Sequence, residues 1–233
     1  MSDREAVLRA VRTALAGVPD SESPDDPPSR GPGVDHAGPD VVGLFAERAA
    51  EYRAVVVRVA PADAAAAVGR ALARTGARSV VVPPGLPADL LPEGPWSWLT
   101  DAPPLTVGRL DLADAVVTTA ASGIAVTGTV ALDHGPGQGR RALTLLPDQH
   151  VCVIRADRIA PDVPEALGLL DPYRPLTLVS GPSATSDIEL DRVEGVHGPR
   201  VLDIVVIDEG ARVQTSDVSG QVSCRSGELM TYE

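Results

Sequence analysis

Short apolar runs alternate with stretches of helical periodicity through most of this chain. β-Branched runs at Ala54–Val59 and Ser79–Val82 predict buried strands. Between them, a segment that begins at Pro61 and stops at Gly76 has the spacing and the terminal residues of an amphipathic helix. Strand and helix in alternation predict an α/β fold with three α/β/α layers, in which helices cover both faces of a mostly parallel sheet.

The central stretch holds three further apolar runs. Ala115–Thr119, Thr129–Asp133 and His150–Arg155 are predicted to be buried strands of one sheet. A glycine-rich turn, Gly135–Gly139, follows the second of them and leads directly into Arg140 and Arg141. Glycines let the backbone adopt positive φ and approach a ligand closely, and two guanidinium groups suit a carboxylate or a phosphate. The alternative is a tight connection whose two arginines are solvated at the surface.

A second polar turn follows the predicted strand Leu176–Ser180. It offers hydroxyls at Ser183 and neighbouring residues, and carboxylates at Asp187 and Glu189. Ligands of open α/β sheets sit beyond the carboxyl ends of strands, and we expect this turn to lie in such a place. The alternative is a capped turn whose hydroxyls satisfy backbone amides. His197, in the next turn, is the one imidazole beside these groups.

The remaining segments complete the predicted organisation. Apolar residues at helical spacing predict an N-terminal amphipathic helix over residues 1–17, and a Pro-, Gly- and Ser-rich composition predicts a flexible linker over 18–39. The α/β domain then covers 40–208, with a polar, disordered tail over 209–233. Within the domain, Asp40 is predicted to cap a helix, and Pro161–Leu170 is predicted to form another. Leu86–Thr106 is proline-rich and predicted to be irregular.

Composition excludes several functions. The formal net charge of −12 argues against a nucleic-acid binder, because phosphate neutralisation needs clustered positive charge. None of the 20 basic side chains is lysine, which removes Schiff-base chemistry, pyridoxal phosphate attachment and a P-loop lysine. No apolar run approaches the roughly 20 residues of a membrane helix, so we expect no membrane span and a cytoplasmic protein.

Cysteine and histidine are sparse. The 2 cysteines, Cys152 and Cys224, are too few for an iron–sulfur cluster, which takes about four thiolates. The 4 histidines show no metal-ligand spacing. We therefore predict no metal and no cofactor bound by this chain alone.

A series of motifs resembles one known family. In chain order they are Thr127-Gly128-Thr129, Gly137-Gln138-Gly139-Arg140-Arg141, Leu146-Pro147-Asp148-Gln149-His150, Ser180-Gly181-Pro182-Ser183 with Asp187-Ile188-Glu189, and Gly195-Val196-His197-Gly198-Pro199. Together they resemble the LutC/YkgG family, the lactate utilization protein C type of LUD domain, over roughly Asp40 to Asp208.

The resemblance implies a fold similar to the NagB/RpiA/CoA-transferase group. It also implies a place in a three-protein system that oxidises L-lactate to pyruvate, in which the other two proteins carry the iron–sulfur clusters. One departure stands out, because the family usually has Glu immediately before Thr-Gly-Thr and this chain has Val126. A carboxylate there could act as a base or a nucleophile, and valine can do neither.

Three functions remain open: a subunit of an L-lactate dehydrogenase-type oxidoreductase complex, a stand-alone enzyme acting on a small anionic or phosphorylated metabolite, and a sensor of such a metabolite. All three use the same candidate residues. The weak catalytic candidates are His197, Glu189 and Asp187. The ligand-binding candidates are Thr127, Gly128, Thr129, Gly137, Gln138, Gly139, Arg140, Arg141, Ser180, Gly181 and Ser183. We expect Arg140→Ala to lose anion binding with little loss of stability, since exposed arginines hold little folding energy.

Overall fold

The computed structural model describes residues 3–15, 38–185, 193–194 and 198–210. Its helices are α1 (Asp3–Leu15), α2 (Val41–Glu51), α3 (Ala64–Thr75), α4 (Val107–Asp111) and α5 (Val163–Gly168). Its strands are β1 (Val55–Val59), β2 (Ser79–Val82), β3 (Ser97–Thr100), β4 (Ala115–Thr119), β5 (Ser122–Ile124), β6 (Thr129–Leu132), β7 (Gln149–Arg155), β8 (Ile159–Ala160), β9 (Thr177–Val179), β10 (Ala184–Thr185), β11 (Val193–Glu194) and β12 (Val201–Ile207). Short 3₁₀ turns cover Pro61–Asp63, Ala88–Leu90, Arg141–Thr144 and Ala156–Arg158.

A six-stranded sheet with the order β1-β12-β7-β4-β2-β3 forms the centre of the domain, and all of its neighbouring strands are parallel. Strand β7 lies between β12 and β4 near the middle of the sheet, and its register with β12 places Cys152 opposite Ile204. Strands buried on both faces are near-continuous apolar runs, which is why these segments are so rich in Val and Ile. The predicted α/β class and mostly parallel sheet are confirmed.

A second sheet was not expected. Its order is β8-β5-β6-β9, with β6 antiparallel to both β5 and β9. The prediction that Thr129–Asp133 shares one sheet with the other two central runs is therefore wrong, because Thr129–Leu132 is β6 of this second sheet. All four residues of β6 are buried, so its apolar pattern is the same as that of a central strand of the main sheet.

The two faces of the main sheet carry separate cores. Helix α3 packs on one face, where Val68 and Leu72 meet valines of β2, β4, β7 and β12. Helix α2 packs on the other, where Phe45 contacts Ile154 and Ile204 in a cluster that also holds Cys152. The expected helix signals hold at both helices. Asp40 accepts a hydrogen bond from the Gly43 amide at 2.8 Å to begin α2, and Gly76 ends α3 with φ of 75°.

Three local predictions need correction. Leu86–Thr106 is not wholly irregular, because it contains β3, the edge strand of the main sheet. Trp98 of β3 and the preceding Trp96 pack on the α3 face, with ring centroids 6.1 Å apart. The helix expected over Pro161–Leu170 is limited to α5, and the strand expected over Leu176–Ser180 is limited to β9.

The chain divides into two units, residues 1–35 and 36–233. The first contains α1, which agrees with the predicted N-terminal helix and exposes Val7, Leu8 and Val11. The predicted linker and tail lie outside the described residues, apart from residues 38–39 and 209–210. No helix in the described part of the chain is long and apolar enough to cross a bilayer.

Candidate functional site

The glycine-rich turn connects two strands of the main sheet to each other. The Thr119 amide, at the end of β4, donates to the Gly137 carbonyl at 2.8 Å, and the Gly137 amide donates to the carbonyl of Pro84, just after β2, at 2.9 Å. Gly137 and Gly139 adopt the expected positive φ, 77° and 72°. A Cβ on Gly137 would lie 2.8 Å from Thr119 Oγ1, so this glycine is required by close packing against the protein itself.

Two of the polar candidates in this turn are used inside the protein. Gln138 is 7% exposed, and its side-chain amide accepts from the Asp133 backbone N–H at 2.8 Å and donates to the Asp133 carboxylate at 2.7 Å. Arg140 forms two hydrogen bonds with Asp101, at 2.8 and 3.0 Å, and a third with the Leu105 carbonyl at 2.6 Å. The Arg140 side chain is 39% exposed and its Asp101 partner only 5%. We expected Arg140 to hold little folding energy and to be available for an anion. Its bonds to the buried Asp101 indicate instead a role in stabilising the fold.

Arg141 is placed differently from its neighbour. It lines a cavity of about 250 Å³ together with Thr144, His150 and the segment Ser180–Ser183. One guanidinium nitrogen donates to the Thr144 hydroxyl at 3.0 Å, and Arg141 forms no ion pair with any carboxylate in the described ranges. Although the residue as a whole is exposed, partial desolvation of its guanidinium lowers the pKa of Arg141. The structure thus brings Arg141 and the Ser180 segment together, as the sequence predicted, into what we call the Arg141 pocket.

A chain of hydroxyl groups joins two of the predicted motifs at this pocket. Thr129 Oγ1 lies 2.7 Å from Ser180 Oγ and 2.8 Å from Thr127 Oγ1. The two glycines of these motifs have packing roles. A Cβ on Gly128 would collide with the backbone of α2, and one on Gly181 would come within 2.5 Å of the Tyr52 carbonyl oxygen. These glycines let the motif backbones approach α2. Of the three hydroxyl-bearing residues, Ser180 lines the pocket, and Thr129 and Thr127 lie behind it in the hydrogen-bonded chain.

His150 is a titratable residue of this pocket that the sequence interpretation did not select as a site residue. It is the second residue of β7, is 1% exposed, and its Nε2 lies 2.8 Å from Thr118 Oγ1 on β4. Burial, with the nearby Arg141 charge as a smaller cause, lowers the pKa of His150 to about 4, so the ring is neutral at pH 7. Thr118 also contacts Cys152, whose burial raises its thiol pKa to about 12. The sequence held a usable signal, because a histidine at the start of an apolar, buried strand needs a polar partner.

The pocket lies at the amino ends of the main strands. His150 and Leu202 are the second residues of β7 and β12, and both line it. The Ser180 turn was expected at the carboxyl ends of the strands. That expectation fails because β9, which precedes the turn, belongs to the second sheet and not to the main one.

Known proteins resemble this chain over most of its length. A lactate utilization protein C from Deinococcus radiodurans is 43% identical over 210 residues, which cover 88% of this chain and 97% of that protein. This chain belongs to the lactate utilization protein C family. The LUD domain model of the family matches residues 108–207, the span that includes β4, the glycine-rich turn, β7 and β12.

Two further relatives agree with the family assignment. Lactate utilization protein C from Bacillus subtilis is 28% identical over 112 residues, which cover 45% of this chain and 46% of that protein. A crystal structure of a DUF162 family protein from Deinococcus radiodurans superposes with a TM-score of 0.63 at 41% identity, covering 72% of this chain and 96% of that chain. The fold of the family is thus seen in a solved structure.

Val126 stands where the family resemblance leads us to expect Glu. It does not line the Arg141 pocket. It is half-buried and packs on an apolar cluster of Ile124, Ala160 and Ala166. Its amide donates to the Pro161 carbonyl at 3.2 Å. In this family member the position therefore supplies packing beneath α5.

A second and larger cavity, of about 650 Å³, opens at the other end of the main sheet of this family member. The last residues of β4, β7 and β12, which are Thr119, Arg155 and Ile207, contribute to its lining. Its arginines already have partners. Arg155 pairs with Asp157 at 2.7 Å, and Arg158 donates to the Ala121 carbonyl at 3.0 Å. An incoming anion would compete with these bonds, whereas Arg141 faces its own cavity without a carboxylate partner among the described residues.

The three weak catalytic candidates, Asp187, Glu189 and His197, lie outside the described residues. Among the residues that are described, no three His, Cys, Asp or Glu side chains stand close enough together to hold a metal ion. The absence of a metal remains a prediction from the sequence.

Proposed function

We propose that this chain works in the oxidation of L-lactate to pyruvate as a subunit that acts beside iron–sulfur partner proteins, and that it binds a small carboxylate in the Arg141 pocket. The observation that carries the proposal is the 43% identity, over 88% of the chain, to a protein named lactate utilization protein C. The proposal places the protein in the cytoplasm with its partners.

The pocket supports the carboxylate part of the proposal. In a protein with a net charge of −12, the guanidinium of Arg141 faces a cavity without a paired carboxylate from the described residues. Partial desolvation favours a bound anion, because a charged partner compensates the guanidinium for the water it has lost. The volume of about 250 Å³ is below the roughly 300–1,000 Å³ typical of drug-sized ligands, which suits a small metabolite.

The cysteine content supports the proposal that partner proteins carry the iron–sulfur clusters. Cys152 lies in the central strand β7 with no exposed surface, and the whole chain has 2 cysteines. An iron–sulfur cluster takes about four thiolates, so the redox centres of the proposed system belong to other chains.

Co-expression tests this proposal. The tagged chain is expressed with the iron–sulfur proteins of a lactate utilization system, and the purified material is assayed for L-lactate-dependent reduction of an artificial electron acceptor. We expect the partners to co-purify, and we expect oxidation to fall sharply in Arg141→Ala but not in Arg109→Ala, whose exposed arginine on α4 lies away from the pocket. A chain that stays alone at micromolar concentration beside those partners would contradict the subunit role.

A stand-alone enzyme or a sensor remains the second candidate, because the same pocket would serve either. Turnover by the isolated chain would identify the enzyme. Saturable binding without turnover, and without partner association, would identify the sensor.

A further inference from the structure

One ring nitrogen of His150 is buried without a partner among the residues that the structure describes. The ring is 1% exposed and its Nε2 is bonded to Thr118 Oγ1, whereas Nδ1 has no hydrogen-bond partner within the described ranges. Buried polar side-chain atoms nearly always have a hydrogen-bond partner, so an orphan nitrogen at a cavity wall indicates that something in the cavity completes it. Because His150 lines the Arg141 pocket, the missing partner belongs to the occupant of that pocket.

The Thr118 hydroxyl allows Nδ1 to work in either direction. If Nε2 carries the proton and donates to Thr118 Oγ1, then Nδ1 presents a lone pair that accepts. If the Thr118 hydroxyl donates to Nε2, then Nδ1 carries the proton and donates. A neutral imidazole held in this way can accept from an alcohol and can donate to a ketone.

We propose that His150 determines the specificity of the Arg141 pocket by binding the oxygen on the second carbon of a small 2-hydroxy or 2-oxo carboxylate, while Arg141 binds the carboxylate. The inference rests on the proposed function and adds to it the group that separates such acids from simple carboxylates. The neutral state of His150 agrees with this role, since an uncharged ring can exchange the two tautomers without placing a second positive charge beside Arg141.

The arrangement discriminates against an acid that lacks the oxygen. Propionate has the carboxylate and the carbon skeleton of lactate, but it would leave Nδ1 unpaired and cut off from water. Sites built to hydrogen-bond a substrate hydroxyl reject analogues without it for this reason. The loss of one such bond predicts an affinity for propionate about tenfold lower than for L-lactate or pyruvate.

Calorimetric titration of the full chain, and of the complex where partners co-purify, with L-lactate, pyruvate and propionate tests this inference. We expect the two oxygenated acids to bind about tenfold more tightly than propionate. His150→Phe should remove that preference and leave propionate affinity nearly unchanged, whereas Arg141→Ala should weaken all three acids. Thr118→Val is the matched control, because it breaks the same internal bond as His150→Phe but keeps Nδ1 and should keep the preference.

A measurement on the unmutated protein covers the case in which His150→Phe does not fold. The chain has 4 histidines, so imidazole ¹⁵N spectra are simple enough to follow each ring. Saturation with L-lactate should move the Nδ1 resonance of His150, and saturation with propionate should move it much less. Equal movement with both acids, or none with either, would overturn the role of His150.

The outcomes also separate this inference from the proposed function. Equal affinity for all three acids, abolished by Arg141→Ala, would refute the His150 role and leave the anion site intact. No binding of any carboxylate, to the chain or to its complex, would refute both the His150 role and the anion site, while co-purification would still decide the subunit role.

Discussion

Arg140 and Arg141 are adjacent in sequence, and we predict that removing each one has an opposite consequence. Arg140→Ala should destabilise the fold and leave the Arg141 pocket able to bind, whereas Arg141→Ala should abolish binding with little effect on stability. The reason is the partner of each side chain. Arg140 is committed to Asp101, and Arg141 faces a cavity.

The size of the Arg140 effect follows from the bonds that are lost. Asp101 keeps only the Leu105 amide, at 2.7 Å, once the two bonds from Arg140 are gone, and its side chain is 5% exposed. Breaking a fully buried pair costs about 3–5 kcal/mol. The 39% exposure of the Arg140 side chain reduces this, and we expect about 2–3 kcal/mol. For a domain of this size that corresponds to a fall in Tm of about 5–10 °C.

Acid titration gives an independent check on the Asp101–Arg140 pair. Arg140 is the main cause of the lowered pKa of Asp101. A carboxylate with a depressed folded-state pKa contributes stability that is complete above its unfolded pKa of about 3.9 and is lost as the pH falls through the folded value. The unmutated protein should therefore lose stability more steeply than Arg140→Ala below about pH 4.5, and the difference between them should shrink in acid.

Thermal denaturation at neutral pH and at pH 3–4, with Arg109→Ala as the exposed-arginine control, measures both effects. A Tm for Arg140→Ala within about 1 °C of the control, combined with lost carboxylate binding, would refute the structural role of Arg140.

The other predictions concern parts of the fold that hold the site. Asp203 is 3% exposed and accepts from Gln149 at 2.7 Å and from an arginine of α3 at 2.6 Å, so Asp203→Ala should lower the free energy of unfolding in urea by about 2 kcal/mol. Asp203→Asn, which keeps the shape of the side chain, should lower the free energy of unfolding by less. Gly128→Ala should lower the free energy of unfolding by at least about 2 kcal/mol, because φ is 59° and the new Cβ would collide with the α2 backbone. A variant as stable as the parent would show that the Gly128 turn and α2 can move apart. In a Cys224→Ser background, Cys152 should resist a thiol reagent until the protein unfolds, since burial raises its thiol pKa to about 12; rapid labelling under native conditions would contradict the packing of β7.

Local patterns were sufficient to locate most strands but not to assign them to sheets. The run that forms β6 is as apolar and as buried as β4, so nothing within it reveals that it pairs with β5 and β9 instead of the main sheet. Sheet membership depends on contacts between segments distant in sequence, and periodicity carries no information about them.

The candidate site shows the same limit at the level of single residues. Arg140 and Arg141 follow the same turn, and what separates them is Asp101, 39 residues earlier in the chain. The approach of the Ser180 segment to Arg141 could be anticipated, because the family motifs grouped them. The role of His150 depends on a diagonal contact with Thr118, which lies two residues beyond Val116, the direct partner of His150 on β4. A hydrophobic pattern identifies β7 as a strand, but the polar pair becomes visible only when the register is known.

The glycine-rich turn has a consequence for where a ligand can lie on the main sheet. Strands β2 and β4 are neighbours in the main sheet. After β2 the chain continues to β3 at the near edge of the sheet, whereas after β4 it continues to β7 on the opposite side. In open parallel sheets such a topological switch point leaves a crevice that usually receives the ligand. Here the backbone of Gly137 already fills it, bonded to Thr119 on one side and Pro84 on the other. The protein thus occupies the customary ligand position of its fold with its own main chain, and the Arg141 pocket lies instead at the opposite, amino ends of the strands β7 and β12.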